Sequence, residues 1–358
     1  MIILAQGKGG VGGGDDGMEI KNANKTPITL EDLAQKTGLS PSTVSRALNN
    51  HASVSLTTRK RVYKIAQELG YRRATDANNI GEETVAICVP FPEEYGLRNP
   101  YFAEIIRGAY TVFHRLNHWH VMVEDIQRLF DIRTLVRGLI AVSLDDAALT
   151  FADPLDFPMV VVDSAGPAAS IAVTADNVRG MAMATEHVVL LGHRAIAYVG
   201  PVKTQTARDR LQGFQQALAL HHLDPVQIVT TVGSSFEEGY QACANLWRQP
   251  QTPTAVMAFN DYMALGALTF LQSRGIRVPD DVSVVGYDGI GQLPLYGLTK
   301  LTTIDQHAFE QGYTAANLLL SLVSGHRPGT TTVQIAPHLL IGGTTAHSHN
   351  VRVSLDSP

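Results

Sequence analysis

The chain has 358 residues, 45% hydrophobic and 17% charged, a composition that buries a sizeable core and exceeds the needs of one ordinary domain. Cys88 and Cys243 stand far apart without metal-ligand spacing, and no apolar run reaches membrane-spanning length, so a disulfide scaffold, a zinc site and a membrane anchor are excluded and a reducing, cytoplasmic setting is expected. The net charge of −5 is uneven, with nine basic and three acidic residues between Lys25 and Arg73, a segment suited to a polyanion.

Residues 1–26 are rich in Gly, Asn and Asp and read as a disordered tail. The stretch GKGGVGGG within it lacks the Lys-Ser/Thr that closes a phosphate-binding loop, having Gly13 and Gly14 instead, so a nucleotide site is set aside. From Thr29 three short helices follow. Thr29 caps the first with Asp32 three residues on, and Gly38 ends it. Ser40 caps the second, with Pro41 at its first position, and it runs through Val44 to Leu48. Ser55 opens the third, which carries Val62, Ile65, Ala66 and Leu69 at helical spacing and stops at Gly70.

Two short helices around a tight glycine turn are the helix-turn-helix arrangement, whose second helix enters the major groove. Pro41, Ser42 and Arg46 are then the residues facing base edges, Arg46 with a guanidinium that fits guanine O6 and N7. Ser40, Thr43, Ser45 and Asn49 are short hydrogen-bonding side chains suited to phosphates. Thr29 and Ser55, which open the first and third helices, complete this set. A structural three-helix bundle with a solvated basic face is the alternative on spacing and charge alone.

Beyond Thr84 the pattern changes to β-rich runs, TVAICVP, HVMVED, GLIAVS, MVVVDS, AIAYVG, TAVMAFN and VSVVGYD, mostly separated by amphipathic segments such as Phe102–Leu116, Ala207–Leu220 and Tyr262–Arg274. That alternation predicts parallel, doubly wound sheets, and some ten strands predict two lobes with a ligand cleft between them at the strand carboxyl ends.

The stretch ITLEDLAQKTGLSPSTVSRALNNHASVSLTTRKRVYKIAQELGYR resembles the DNA-binding headpiece of the LacI/GalR repressor family, through T-L-x-D-x-A, G-x-S-x-x-T-V-S-R-x-L-N, V-S-x-x-T-R and L-G-Y. NPYFAEIIRG, TEHVVLLGHRAIAYVG, ARDRLQGF, AFNDYMALGAL and RVPDDVSVVGYD are similar to family blocks further on. The resemblance implies a headpiece over residues 27–73 and a hinge over 74–83. It also implies a periplasmic-binding-protein-like core of two doubly wound lobes over 84–345, followed by a tail at 346–358. Lobe one is expected at about 84–164 and 292–324, lobe two at about 165–291 and 325–345. It implies a sequence-specific repressor, not an enzyme and needing no cofactor. Such a repressor binds a pseudo-palindromic double-stranded operator as a homodimer and is controlled by a sugar or sugar derivative acting as inducer or corepressor. Ile80 stands at the hinge position that wedges into the minor groove, with a linker residue packed on the core as its alternative. Tyr101 and Phe102 would wall the pocket from lobe one, Arg210, Asn260 and Asp288 would enter from lobe two, and Asp163, Thr206 and Gln306 are further candidates.

Three departures from the family pattern bear on this. The chain between Val123 and Gly138 is too short for a full helix, Ser234 replaces a ring-stacking aromatic with Phe236 as substitute, and Gly342-Gly343 replace an arginine. His114, His118 and His120, and His347 with His349, lack carboxylate partners at ligand spacing and are read as solvated. A sugar-binding protein without a gene-regulatory role is the competing function.

Overall fold

The computed structural model describes residues 28–48, 51, 53–69, 71, 84–89, 99–123, 125–132, 135–144, 148, 158–164, 170–290 and 300–348. The tail 1–26, Asn49, the hinge with Ile80, and His349 lie outside them.

The first unit is three helices, α1 (Leu30–Thr37), α2 (Pro41–Leu48) and α3 (Leu56–Leu69). Thr29 and Asp32 form the reciprocal capping box: Thr29 Oγ1 accepts from the Asp32 amide at 3.2 Å and Asp32 Oδ2 from the Thr29 amide at 2.7 Å. Gly38 ends α1 in the left-handed region, φ 68°, where a residue without Cβ is unstrained. Ser40 and Ser55 hydroxyls accept from the Thr43 and Thr58 amides, each at 3.2 Å, satisfying otherwise orphaned donors at the starts of α2 and α3. Leu33, Val44, Ala47, Val62 and Ala66 are buried in this unit. The Tyr63 hydroxyl donates to the Leu48 carbonyl at 3.2 Å, tying α3 to the end of α2.

The first lobe is a six-stranded parallel sheet. Its strands are β1 (Val85–Cys88), β2 (His120–Val123), β3 (Leu139–Val142), β4 (Met159–Val162), β5 (Ile171–Ala175) and β11 (Thr332–Ile335), in the order β11-β5-β4-β3-β1-β2. Val85, Ile87, Ile140, Val142, Val160 and Val162 pack one face against α4 (Pro100–Arg115) and α10 (Ala308–Val323). These two helices cross at glycines: a Cβ on Gly312 would lie 1.9 Å from the Ile105 carbonyl oxygen. The opposite face carries Ala86, Cys88, Leu139, Ala141 and Val161. Between β2 and β3 the described residues form only a 3₁₀ turn, Ile126–Arg128, and a four-residue helix α5 (Leu129–Ile132), so no full helix covers this edge.

The second lobe is a four-stranded parallel sheet, β7 (Gln227–Thr230), β6 (Ile196–Gly200), β8 (Ala255–Ala258) and β9 (Ser283–Val285) in that spatial order. Helices α6 (Asn177–Leu190) and α7 (Gln205–Leu220) pack on one face around Met181, Tyr198 and Phe214. On the other face α8 (Phe236–Leu246) and α9 (Asp261–Ser273) pack around Cys243, Met263 and Phe270. Both cysteines are buried, and burial pushes their thiols up to about 12, which keeps them protonated and unreactive.

The chain passes between the lobes at residues 175–177, between β9 and α10, and again after β11. An antiparallel pair, β10 (Thr303–Asp305) and β12 (His338–Leu340), runs along the last two passages. The expected lobe boundaries require correction. Residues 171–175 pair in parallel with β4 and residues 332–335 with β5, so both belong to the first sheet, which they extend beyond β4. The divisions fall after 175 and 335, not at 165 and 325.

Candidate functional site: an exposed helix face and an interlobe pocket

Helix α2 presents a one-sided surface. Pro41, Ser42 and Arg46 are exposed while Val44, Ala47 and Leu48 are buried, and Thr43 and Ser45 lie at the boundary. The hydroxyls of Ser40, Ser42 and Thr43 form a hydrogen-bonded group, Ser40 Oγ lying 3.0 Å from Ser42 Oγ and 2.8 Å from Thr43 Oγ1. Thr29 and Ser55 have their side chains engaged as helix caps.

The pocket lies between the lobes, a cavity of about 470 Å³. Seven of the eight candidate residues line it: Tyr101, Phe102 and Asp163 from the first lobe, Thr206, Arg210, Asn260 and Asp288 from the second. Gln306 does not. It is buried behind the floor, where its Nε2 donates to Asp288 Oδ1 at 2.7 Å. Phe236, the expected replacement aromatic and the first residue of α8, is also outside the lining. Phe102, Phe259 and Tyr262 supply the aromatic walls instead, and Ser234 lines the cavity.

The floor is built around Arg210, which is 2% exposed. Its Nε donates to Asn177 Oδ1 at 2.9 Å, and its Nη1 to the Phe259 carbonyl at 2.7 Å and to Asp288 Oδ1 at 3.3 Å. The guanidinium lies over the Tyr287 ring, 3.7 Å from its centroid, and against Phe259 at 4.5 Å. Burial alone would weaken its hold on the proton, but the neighbouring Asp288, Tyr287, Asp163 and Tyr101 outweigh that and keep it charged. Asp163 follows β4 in a left-handed conformation, φ 55°. It accepts from Ser143 Oγ at 2.8 Å and from Thr206 Oγ1 at 3.2 Å. Burial raises its carboxyl above the ordinary value despite Arg210, and raises Asp288 further. Asp288 pairs with the guanidinium and Asp163 lies within its field; the guanidinium favours the charged form of each carboxyl, and burial, which favours the neutral form, outweighs it.

The Tyr101 hydroxyl is buried and faces Asp163, whose carboxyl it helps to hold down. Asn260 is less available: its Oδ1 caps α9 at the Met263 amide, 2.8 Å, and its Nδ2 donates to the Ser234 carbonyl at 3.0 Å. Both carboxylate oxygens of Glu238 are likewise committed, to the Gly233 amide at 2.6 Å and the Ser235 amide at 3.0 Å.

Residues 29–74 match the family model described as bacterial regulatory proteins, lacI family, and residues 185–345 match a periplasmic binding protein-like domain. The HTH-type transcriptional repressor CytR of Escherichia coli is 33% identical over 338 residues, covering 90% of this chain and 97% of that protein. The chain belongs to the lacI family. Solved structures of lacI-family proteins have the same architecture. The lac repressor dimer bound to operator and the anti-inducer ONPF is 27% identical with a TM-score of 0.66, covering 90% of this chain and all of that one. A LacI family transcriptional regulator from Enterococcus faecium with bound ribose is 28% identical with a TM-score of 0.66, covering 74% of this chain and 99% of that one.

In this lacI-family pocket several residues escaped the sequence reading. Ser143 ends β3 as Asp163 ends β4, both with left-handed backbone. Its place at a parallel-strand carboxyl end was a usable signal, since ligands collect there. Phe259, next after β8, carries the same mark, whereas Asn177 carries none, because its role arises from contact with Arg210. Lys203 and Tyr262 line the cavity from the starts of α7 and α9.

Proposed function

We propose that this chain is a transcriptional repressor that binds operator DNA as a homodimer in the cytoplasm, without catalysis, and whose DNA affinity is set by a ligand held between its lobes. The supporting observation is the exposed face of α2, where Pro41, Ser42 and Arg46 stand clear of a helix-turn-helix whose caps are already satisfied within the unit. Arg46 is the base reader, and Ser40, Thr43 and Ser45 serve phosphates. One such unit reads few base pairs, and two on a two-fold axis read an inverted repeat.

The ligand class follows from the floor. Arg210 is tied inside the floor to Asn177, the Phe259 carbonyl and Asp288, which leaves Asp163 and Tyr101 to meet the hydroxyls of a ligand. Such a floor suits a polyhydroxylated molecule, with Phe102, Phe259 and Tyr262 covering its apolar faces. Lobe closure on that ligand alters the separation of the two headpieces, and linkage requires operator DNA to change ligand affinity by the same factor.

The test is selection of bound sequences from random double-stranded DNA with the full-length protein at near-physiological salt. An inverted repeat is expected, at least about a thousandfold preferred over bulk DNA. Absence of any enriched motif, with and without a panel of neutral sugars and nucleosides, would favour a binding protein without a gene-regulatory role.

A further inference from the structure

Two imidazoles meet where two of the interlobe passages run side by side. His307 lies between β10 and α10, where the chain re-enters the first lobe, and His338 begins β12, where it leaves again. The β10–β12 register sets Asp305 opposite His338. His307 Nε2 is 2.5 Å from His338 Nδ1, with the rings edge to face at 4.8 Å between centroids. Two nitrogens this close must have a proton between them, because two lone pairs would repel. His307 is also held in place from its own strand. Its backbone is left-handed, φ 54°, its amide donates to Asp305 Oδ1 at 2.8 Å, and its Nδ1 lies 3.6 Å from Asp305 Oδ2. Neither histidine lines the pocket.

We propose that His307 and His338 form a proton-dependent clasp across the two passages, which fixes the lobe-to-lobe angle near neutral pH and releases it on acidification. With both rings neutral, one N–H donates to one bare nitrogen. A first added proton gives a charge-assisted bond beside Asp305, which strengthens the clasp. A second leaves both facing nitrogens bearing hydrogen, so the bond is lost and two cations abut. Charged and titratable groups on the elements around the pair are Asp305 on β10, Glu310 on α10, and Asp176, Arg179, Glu186 and His187 along α6, with buried Asp261 and Asp288 behind β10; β11 has none. The effect on DNA rests on the repressor reading, whereas the clasp itself does not.

The experiment uses the full-length protein and its His338→Asn variant, with His307→Asn as the second variant should the first not fold. Backbone hydrogen exchange over residues 303–307 and 338–340 is measured at pH 7.5 and pH 5 and corrected for intrinsic rates. At pH 7.5 the variant is expected to exchange at least about fivefold faster than the parent, and at pH 5 equally fast. Equal exchange at both values overturns the clasp. Affinity for the DNA enriched from the random pool is then followed over the same range. The parent is expected to change at least about fivefold more than the variant. Superimposable profiles overturn the hinge role. If no DNA is enriched, the repressor reading fails and hydrogen exchange still decides the clasp.

Discussion

In the headpiece, Arg46, Ser42 and Pro41 stand in solvent on a helix whose packing is done by other residues. In the pocket, Arg210 and Asp288 are themselves packing residues, buried among Tyr287, Phe259 and Tyr101, with Asp163 half-buried beside them. A reader on the first surface is replaceable at little cost to folding, since exposed side chains away from special features contribute within about 0.5 kcal/mol. A floor residue in the second is bound into a buried network, so removing one partner leaves the polar groups of the others without theirs.

The comparison is broken most severely at Arg210. Arg210→Met is expected to cost about 3–5 kcal/mol of stability, the usual penalty for leaving a buried charge uncompensated. Urea unfolding of the parent and variant measures it, and a loss under 1 kcal/mol would refute the shared floor. A smaller effect with a distinctive pH signature belongs to Asp288. Its carboxyl and that of Asp163 are raised by burial above the ordinary value of 3.8. The stability associated with their neutral forms is complete below about pH 4 and is lost as pH rises through the raised values. Asp288→Asn, which never ionises, should therefore gain in melting temperature relative to the parent between pH 4 and 8. A difference that stays flat would show that burial does not govern the site.

On the headpiece side, Arg46→Ala should weaken operator binding by about 1–3 kcal/mol and relax selection at one base pair, with unfolding unchanged. Competition binding on single-base operator variants reads it, and uniform weakening across all variants would reassign Arg46 to the phosphates. The smallest effect is Thr29→Ala, which removes the capping box and should cost about 1 kcal/mol. That change should appear as faster amide exchange in α1.

The headpiece was legible in the sequence almost residue by residue, because its boundaries are local events: a capping box at Thr29, a left-handed glycine at 38, serines at 40 and 55. The seven apolar runs all became strands, most of them buried enough to read as continuous hydrophobic stretches, with β2 at its sheet edge partly exposed. Strands β5, β7 and β11 went unmarked because partly exposed and polar residues interrupt them, and β10 and β12 because they are three residues long with polar residues among them. The lobe boundaries failed at the same place: whether residues 171–175 join the first or second sheet is decided by pairing, which no local pattern encodes. Gln306 was drawn toward the pocket by likeness alone and proved to be a support for Asp288, a distinction set by one layer of packing.

The sealing of Arg210 also bears on how this protein could change over evolutionary time. Its three acceptors, Asn177, Phe259 and Asp288, are met by one planar fork lying on the Tyr287 ring, a geometry the single ammonium of lysine does not reproduce. The deepest part of the cavity is thus closed to gradual substitution. Phe102, Lys203, Val232 and Ser234, set around it and bound by no comparable network, can vary one at a time. A lineage acquiring a new inducer would do so by altering that outer ring, and the chemical signature of the old ligand would persist underneath.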